Sequence, residues 1–224
     1  MKNIQNVLVI CAHPDDETLG LGGTLCLHAQ NGDSVHVLIF ADGQHGRDIS
    51  SKGIKIRRDQ AKKACSNLGI KDIMFLNYPD QKLENIELIE LASKIEVLIK
   101  KLKPNIVYTH FWGDVNQDHR RLFEASLIAC RPKSSSSIKQ LICFESPSST
   151  ESGSHHLRFN PNYFVDIEKV FVKKIQALKQ YKYELGKFPH PRSIEAISIR
   201  AGFWGQSVGL KKAEAFFILR QIKE

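Results

Sequence analysis

Along the chain, short runs of β-branched and aliphatic residues alternate with longer stretches whose apolar positions recur every three or four residues. Strand period followed by helical period, repeated, predicts an α/β fold, a Rossmann-like parallel sheet flanked by helices. Residues 7–12 form the first strand and 19–31 the helix behind it, with Asn31-Gly32-Asp33 placing a glycine just past the helix end. Residues 34–41 are the second strand. A polar loop, 42–53, leads into a helix over 54–68 that carries Ile56, Ala61, Ala64 and Leu68 on one side and stops at Gly69. A third strand over 73–76, an amphipathic helix over 86–102, a fourth strand over 106–109, a helix over 120–130 and a fifth strand over 138–144 complete the pattern.

Beyond residue 144 the pattern weakens. Residues 145–162 are rich in Ser, His and Pro without periodicity, which predicts a long surface loop of the kind that often serves as a lid. Residues 167–185 return to helical period, with Ile167, Phe171, Ile175, Leu178 and Leu185 on one stripe and Lys169, Lys173, Lys179 and Lys182 largely off it. That stripe predicts a docked surface helix with solvated lysines rather than a membrane-binding helix. The stretch 132–137 (PKSSSS) reads as a flexible connection, and no repeat or linker divides the chain. One domain is expected over 1–224, with a core over 1–144 and a substrate-side loop and C-terminal helices over 145–224.

The 224 residues are 42% hydrophobic and 25% charged, enough for a sizeable core, which excludes disorder, collagen and coiled coil. Charge changes the picture more. The 32 Lys and Arg against 24 Asp and Glu leave +8, which favours an anionic partner, whether nucleic acid, phosphorylated metabolite or membrane surface. Cys11, Cys26, Cys65, Cys130 and Cys143 are odd in number, lack CxxC spacing and mostly lie in apolar stretches, so they predict reduced core thiols and a cytoplasmic protein. No window approaches the roughly 20 apolar residues of a membrane span, and the apolar start is too short for a signal peptide. Peripheral membrane contact and a homo-oligomer are both compatible with this chain.

The candidate chemistry sits where such sheets bind ligands, at the carboxyl ends of the strands. The first strand ends in Ala12-His13-Pro14-Asp15-Asp16-Glu17, one imidazole and three carboxylates at the mouth of a buried sheet. Capping of the next helix accounts for one or two of the acids but not for the histidine. A His and an Asp three residues apart, with Pro14 biasing His13 toward an extended backbone, can converge on one divalent metal, and imidazole plus carboxylate suits zinc. A third ligand can come from the loop after the fourth strand, Thr109-His110-Phe111-Trp112-Gly113-Asp114-Val115-Asn116-Gln117-Asp118-His119-Arg120.

These two motifs closely resemble those of the PIG-L/LmbE-type metal-dependent N-deacetylases, which remove acetyl groups from N-acetylated sugars. Asp42-Gly43, Arg57, Leu68-Gly69, Phe75-Leu76 and Pro79-Asp80 agree with the resemblance, which covers residues 7–144. Asn160-Pro161-Asn162, Pro189-His190-Pro191-Arg192-Ser193 and Ala213-Glu214-Ala215-Phe216 resemble a bacterial branch associated with surface-polysaccharide and sugar-nucleotide pathways. The resemblance implies that His13, Asp16 and His119 bind zinc, with iron(II) or cobalt(II) as alternatives, and that Asp15 stays off the metal as general base. Three protein ligands leave one position for water, as a hydrolytic zinc site requires.

One position departs from the family. Many relatives carry a histidine three residues before the third ligand, where this chain has Asn116, which donates a hydrogen bond but does not titrate. Proton delivery to the leaving amine then falls to protonated Asp15, or to another group such as His110 or His190. Asp118 is expected to orient a neighbouring imidazole or to cap a helix. His190 and Arg192, bracketed by prolines, suit a pocket rim that receives a phosphate or carboxylate, and a structural turn is the competing reading. Arg47, Arg57 and Arg120 are further anion contacts or solvated surface residues. Gly20, Gly22 and Gly23 do not match GxGxxG and suggest packing. His155 and His156 lie in the Ser-rich loop, and His28, His36 and His45 read as surface or loop residues.

The leading expectation is a zinc-dependent deacetylase of an amino sugar carried on a phosphate, nucleotide or lipid group, which would also account for the charge excess. A small sugar conjugate such as a thiol precursor is the second reading. A nucleotide- or nucleic-acid-binding module with a degenerate metal site is the third. It is disfavoured because His13, Asp15, Asp16 and His119 are all present and no basic stretch interleaved with aromatics occurs.

Overall fold

A computed structural model describes residues 4–44, 51–133, 136–153 and 156–223. Seven strands form one sheet in the order β3-β2-β1-β4-β5-β7-β6. The parallel part comprises β1 (Asn6–Cys11), β2 (Ser34–Ala41), β3 (Asp72–Tyr78), β4 (Ile106–His110) and β5 (Gln140–Phe144). From β1 the chain winds outward through β2 and β3 and then returns to place β4 on the other side. The carboxyl ends of β1 and β4 therefore flank the switch point, where an α/β sheet opens a crevice.

Strand alternation explains the two cores. Val7, Val9 and Cys11 enter one buried cluster with Leu21, Leu25, Ala61 and Ala64, whereas Leu8, Ile10 and Ala12 enter another with Leu91, Ile95 and Leu122. Helices α1 (Asp16–Gln30) and α2 (Ser51–Asn67) thus cover one face of the sheet. Helices α3 (Leu88–Leu102) and α4 (Gln117–Ala129) cover the other. Burial on both faces is what makes these strands continuous apolar runs. All five predicted strands and four crossover helices are present, with ends shifted by a few residues.

The C-terminal third differs from expectation. The predicted helix over 167–185 is a short 3-10 turn followed by α5 (Phe171–Leu178), and α6 (Ile194–Ser207) comes later. Two unpredicted strands, β6 (Tyr163–Asp166) and β7 (Ala213–Gln221), make the sheet mixed, since β7 runs antiparallel to both β5 and β6. The stretch expected as a surface loop is in part interior. Glu145, Ser146, Ser149 and Thr150 are buried, because they pack beneath the loop that follows β4. Within 132–137, residues 134 and 135 lie outside the described part.

Helix α1 starts at Asp16, earlier than predicted, and breaks at Leu21 (φ −144°, ψ 20°). The break is stitched from outside. The Glu214 carboxylate on β7 accepts from the Gly23 and Thr24 N–H groups at 2.8 and 2.7 Å. Lys174 on α5 donates to Glu214 at 2.6 Å and to the Leu19 carbonyl at 2.9 Å. Gly20 and Gly23 bear out the packing reading. A Cβ on Gly20 would stand 2.5 Å from the Phe144 ring, and one on Gly23 would stand 2.6 Å from Ile167. Among the described residues no helix is long and apolar enough to cross a membrane.

Candidate metal centre

Past the end of β1 the chain turns sharply, and residues 12–17 are all buried. Asp15 sits just before α1 at φ 127° and ψ −26°, a conformation that L-residues rarely adopt and that costs on the order of 1–3 kcal/mol. Its carbonyl accepts from the Thr18 and Leu19 N–H groups, so the strained residue opens the helix and puts Asp16 in the first turn. After β4, Asn116 caps α4 by accepting from the Asp118 N–H at 2.9 Å. Asp118 and His119 then occupy the first turn of α4 and face the β1 loop.

A triangle of three side chains offers donor atoms there. His13 Nδ1 lies 3.5 Å from an Asp16 carboxylate oxygen, His119 Nε2 lies 3.4 Å from the other, and the two ring nitrogens are 3.3 Å apart. The ligand atoms of a tetrahedral zinc with bonds of 2.0–2.1 Å are roughly 3.3–3.4 Å from one another, and the closest spacing between each pair of these side chains is of that size. The remaining ring nitrogens are engaged as a metal site requires. His119 Nδ1 meets Asp114 at 3.1 Å, and His13 Nε2 meets Asp118 at 3.1 Å and Asp80 at 2.9 Å.

Electrostatics also favour positive charge at this point. Burial alone would lower both histidines, but the carboxylates outweigh it. Hydrogen bonds to Asp118, Asp16 and Asp80 raise His13 well above its ordinary value, and Asp16 with Asp114 raises His119 to about 9. Asp16 is held well below the usual carboxylate range because the His119 charge and the bonds from His119 and His13 outweigh its desolvation.

Asp118 orients His13 rather than its neighbour His119, and its carboxylate also accepts from the Gln81 and Leu83 N–H groups. The capping role expected of it belongs to Asn116. Asp114 and Asp80 were not among the candidate site residues. The available signal was position, since each follows the carboxyl end of a strand, together with the Pro79-Asp80 pair of the family resemblance.

A cavity of about 110 Å³ opens beside the triangle, lined among others by His13, Asp15, Arg57, Asp80, Asn116 and Arg192. Arg192 donates to Asp15 at 3.2 Å and to Ser148 Oγ at 2.8 Å. Arg57 donates to the Pro14 carbonyl at 2.6 Å, and lies 2.7 Å from Glu184 and 3.7 Å from Asp15. Burial raises the Asp15 carboxyl to about 6, and Arg192 and Arg57 restrain the rise. Both arginines are thus matched by Asp15 and Glu184, so the cavity concentrates little of the positive charge that composition suggested for it.

The other candidates fall elsewhere. His110 is fully buried and stacks on His119 at 3.9 Å; its Nε2 accepts from the Ala12 N–H at 2.9 Å. Burial and His119 lower its pKa to about 3, and its Nδ1 lies 3.5 Å from Ser146 Oγ, away from the cavity lining. His190 is exposed and accepts from the Arg192 N–H at 3.1 Å, which is the structural turn rather than the pocket rim. Arg120 holds the Asp114 and Val115 carbonyls at 2.7 and 2.6 Å. His28 bonds Asp33 and Tyr108, His36 bonds Asp72, and His156 is exposed. His45, Arg47 and His155 lie outside the described residues.

Comparison with known proteins adds a second line of observation. A family model described as GlcNAc-PI de-N-acetylase, PIG-L, matches residues 8–130. The Escherichia coli K12 protein named "Uncharacterized deacetylase YaiS" is 33% identical over 80% of this chain and 91% of its own length. Diacetylchitobiose deacetylase of Thermococcus kodakarensis is 31% identical over 95% of this chain and 82% of its own. The solved structure of N,N′-diacetylchitobiose deacetylase from Pyrococcus horikoshii with an inhibitor superposes with a TM-score of 0.77. It covers 97% of this chain and 85% of that one at 22% identity, a likeness of fold.

Proposed function

The chain belongs to the PIG-L family of N-deacetylases, and on that footing we propose that it hydrolyses the acetamido group of an N-acetylated amino sugar at the His13–Asp16–His119 centre. The observation that carries this reading is the convergence of His13, Asp16 and His119, whose closest donor atoms are 3.3–3.5 Å apart pair by pair, with the Asp15 carboxylate in the adjoining cavity. Two imidazoles and one carboxylate suit zinc best, with iron(II) or cobalt(II) as alternatives. A bound ion there would supply Lewis acidity, polarising the acetyl carbonyl and making water more acidic.

The chain's own groups divide the remaining work. Asp15 accepts a proton from the attacking water, and a carboxyl raised toward about 6 is suited both to take that proton and to return it near neutrality. Because His110 is locked on a backbone amide and His190 is turned to solvent, Asp15 also protonates the leaving nitrogen as the C–N bond breaks. Asn116 has its Oδ1 occupied by the Asp118 N–H, which leaves its amide N–H groups to stabilise the oxyanion that develops on the carbonyl. Asp118 with Asp80, and Asp114 on the other side, hold the two imidazoles in the tautomers that ligation needs.

Arg57, Asp80, Glu184 and Arg192 border the cavity, where they can meet sugar hydroxyls. A cavity of about 110 Å³ holds the acetamido end and part of one ring. A nucleotide, phosphate or lipid carrier would then lie outside it. A small neutral sugar conjugate is the second reading, favoured by the internal matching of Arg57 and Arg192. Residues 145–224 supply Glu184 and Arg192, which supports one domain over 1–224. Five buried free cysteines support a cytoplasmic location.

The test is acetate release from a panel of free, lipid-linked and UDP-, GDP- or CMP-linked N-acetyl sugars, with metal content measured alongside. Turnover that disappears in Asp15→Ala supports the proposal. A metal-free protein inactive on the whole panel refutes it, and turnover of uncharged sugars alone removes the anionic carrier.

A further inference from the structure

Asp15 is gripped from two directions, and both grips end on one side chain far away in sequence. On the backbone side, the Asp15 N–H donates to Glu17 Oε2 at 3.1 Å. The other oxygen of that carboxylate accepts from Tyr181 at 2.5 Å and from Thr18 at 2.5 Å. On the side-chain side, Arg57 lies 3.7 Å from the Asp15 carboxylate, and its guanidinium stands 5.8 Å from the centre of the Tyr181 ring. Tyr181 and Glu17 are both completely buried, and neither borders the cavity.

We infer that Glu17 and Tyr181 are positioning residues that hold Asp15 in its strained backbone conformation and so aim its carboxylate into the cavity. The inference rests on the reading of Asp15 as the proton-transferring group. Like the acid of a capping box, Glu17 reaches back to the N–H of the residue that opens α1, but here that residue is Asp15, so the same bond fixes the backbone of the proton-transferring group. Core filling explains Tyr181 less well, because phenylalanine would fill the same volume without a hydroxyl needing a buried partner. A buried N–H held at positive φ needs an acceptor. Glu17 is that acceptor, and Tyr181 with Thr18 fixes where it points.

Crystal structures, metal content and kinetics of Glu17→Ala, Glu17→Gln and Tyr181→Phe test the inference. In Glu17→Ala, Asp15 is expected to relax to negative φ, with kcat falling about 100-fold while KM stays within about two-fold and one metal per chain is retained. Glu17→Gln, whose amide oxygen can still accept from the Asp15 N–H, should restore most of the loss. Tyr181→Phe should cost about 10-fold and serves if Glu17→Ala fails to fold. An Asp15 still at φ near 127° in Glu17→Ala, or metal lost in step with activity, overturns the inference. The backbone readout needs no substrate, so a wild type inactive on every N-acetyl sugar would end the deacetylase reading without deciding this one.

Discussion

Arg192 reaches Asp15 at 3.2 Å across 177 residues of sequence, so the group proposed to move the proton is completed by a side chain from the far end of the chain. Removing that cation leaves a buried carboxylate with one partner fewer. Arg192→Met is therefore expected to lower kcat by about 10- to 100-fold with metal content unchanged. Arg192→Lys should recover part of this, because it keeps the charge and loses the second bond to Ser148. Steady-state kinetics with metal analysis check it, and a wild-type kcat in Arg192→Met would exclude the role.

Asp114 predicts a separation of metal affinity from catalysis. It bonds His119 Nδ1 and does not border the cavity. Asp114→Ala should weaken metal binding about 10- to 100-fold, read by chelator competition, with turnover largely restored by excess metal. Activity that stays low at metal saturation would give Asp114 a direct part in the reaction.

Lys174 and Glu214 form a buried pair at 2.6 Å that also holds the break in α1. Glu214→Ala strands a buried ammonium and frees two backbone N–H groups, so a loss of about 3–5 kcal/mol in urea unfolding is expected. A loss under about 1 kcal/mol would mean that the ammonium finds water, as surface pairs do.

The buried Glu145 carboxyl gives a pH prediction. Desolvation raises it above its ordinary value, opposed by Arg200 and its bond to Trp204. An acid whose folded pKa is raised binds its proton more tightly when folded, so this group costs stability as pH rises from its unfolded value through its folded one. Glu145→Gln lacks that cost. The stability of the variant relative to wild type should therefore climb as pH is raised from about 4 upward through that window. The opposite slope in urea midpoints would show that Arg200 dominates.

All five cysteines are buried and free, and burial pushes Cys130 up to about 12. Since the thiolate is the reactive form, native protein should react with a thiol reagent far more slowly than unfolded protein, which should titrate all five. Fast labelling of the native state would place at least one thiol at the surface.

Legibility in the sequence followed locality. His13, Asp15 and Asp16 share one turn, so their clustering was legible; the spacing argument reached only the loop over 109–120, and the family resemblance singled out His119 within it. Asp80, Asp114 and Glu184 act through partners whose distance only the fold closes; Pro79-Asp80 belonged to the resemblance and Asp114 to the loop after β4, but neither carried a role, and no local pattern marks Glu184. β6 has only four residues, and β7 sits in a segment with no flanking strand nearby in sequence to suggest pairing. α6 leaves Ile199 and Phe203 about half exposed, at 55% and 54%, so it presents no clean apolar stripe. The +8 was legible, but not its placement, because Arg57 and Arg192 are counterbalanced by acids that composition counts separately.

The position of β7 between β5 and β6 has a consequence for how the enzyme comes into being. A ribosome delivers the parallel half first, and the outer edge of β5 stays open until β7 has emerged and slid in beside it. Glu214 arrives with that strand, and only then can Lys174 and the α1 break be fixed. The nascent chain therefore carries its metal-loop residues long before the scaffold that steadies them. Hydrolytic competence should appear abruptly, once β7 has emerged, rather than grow with chain length.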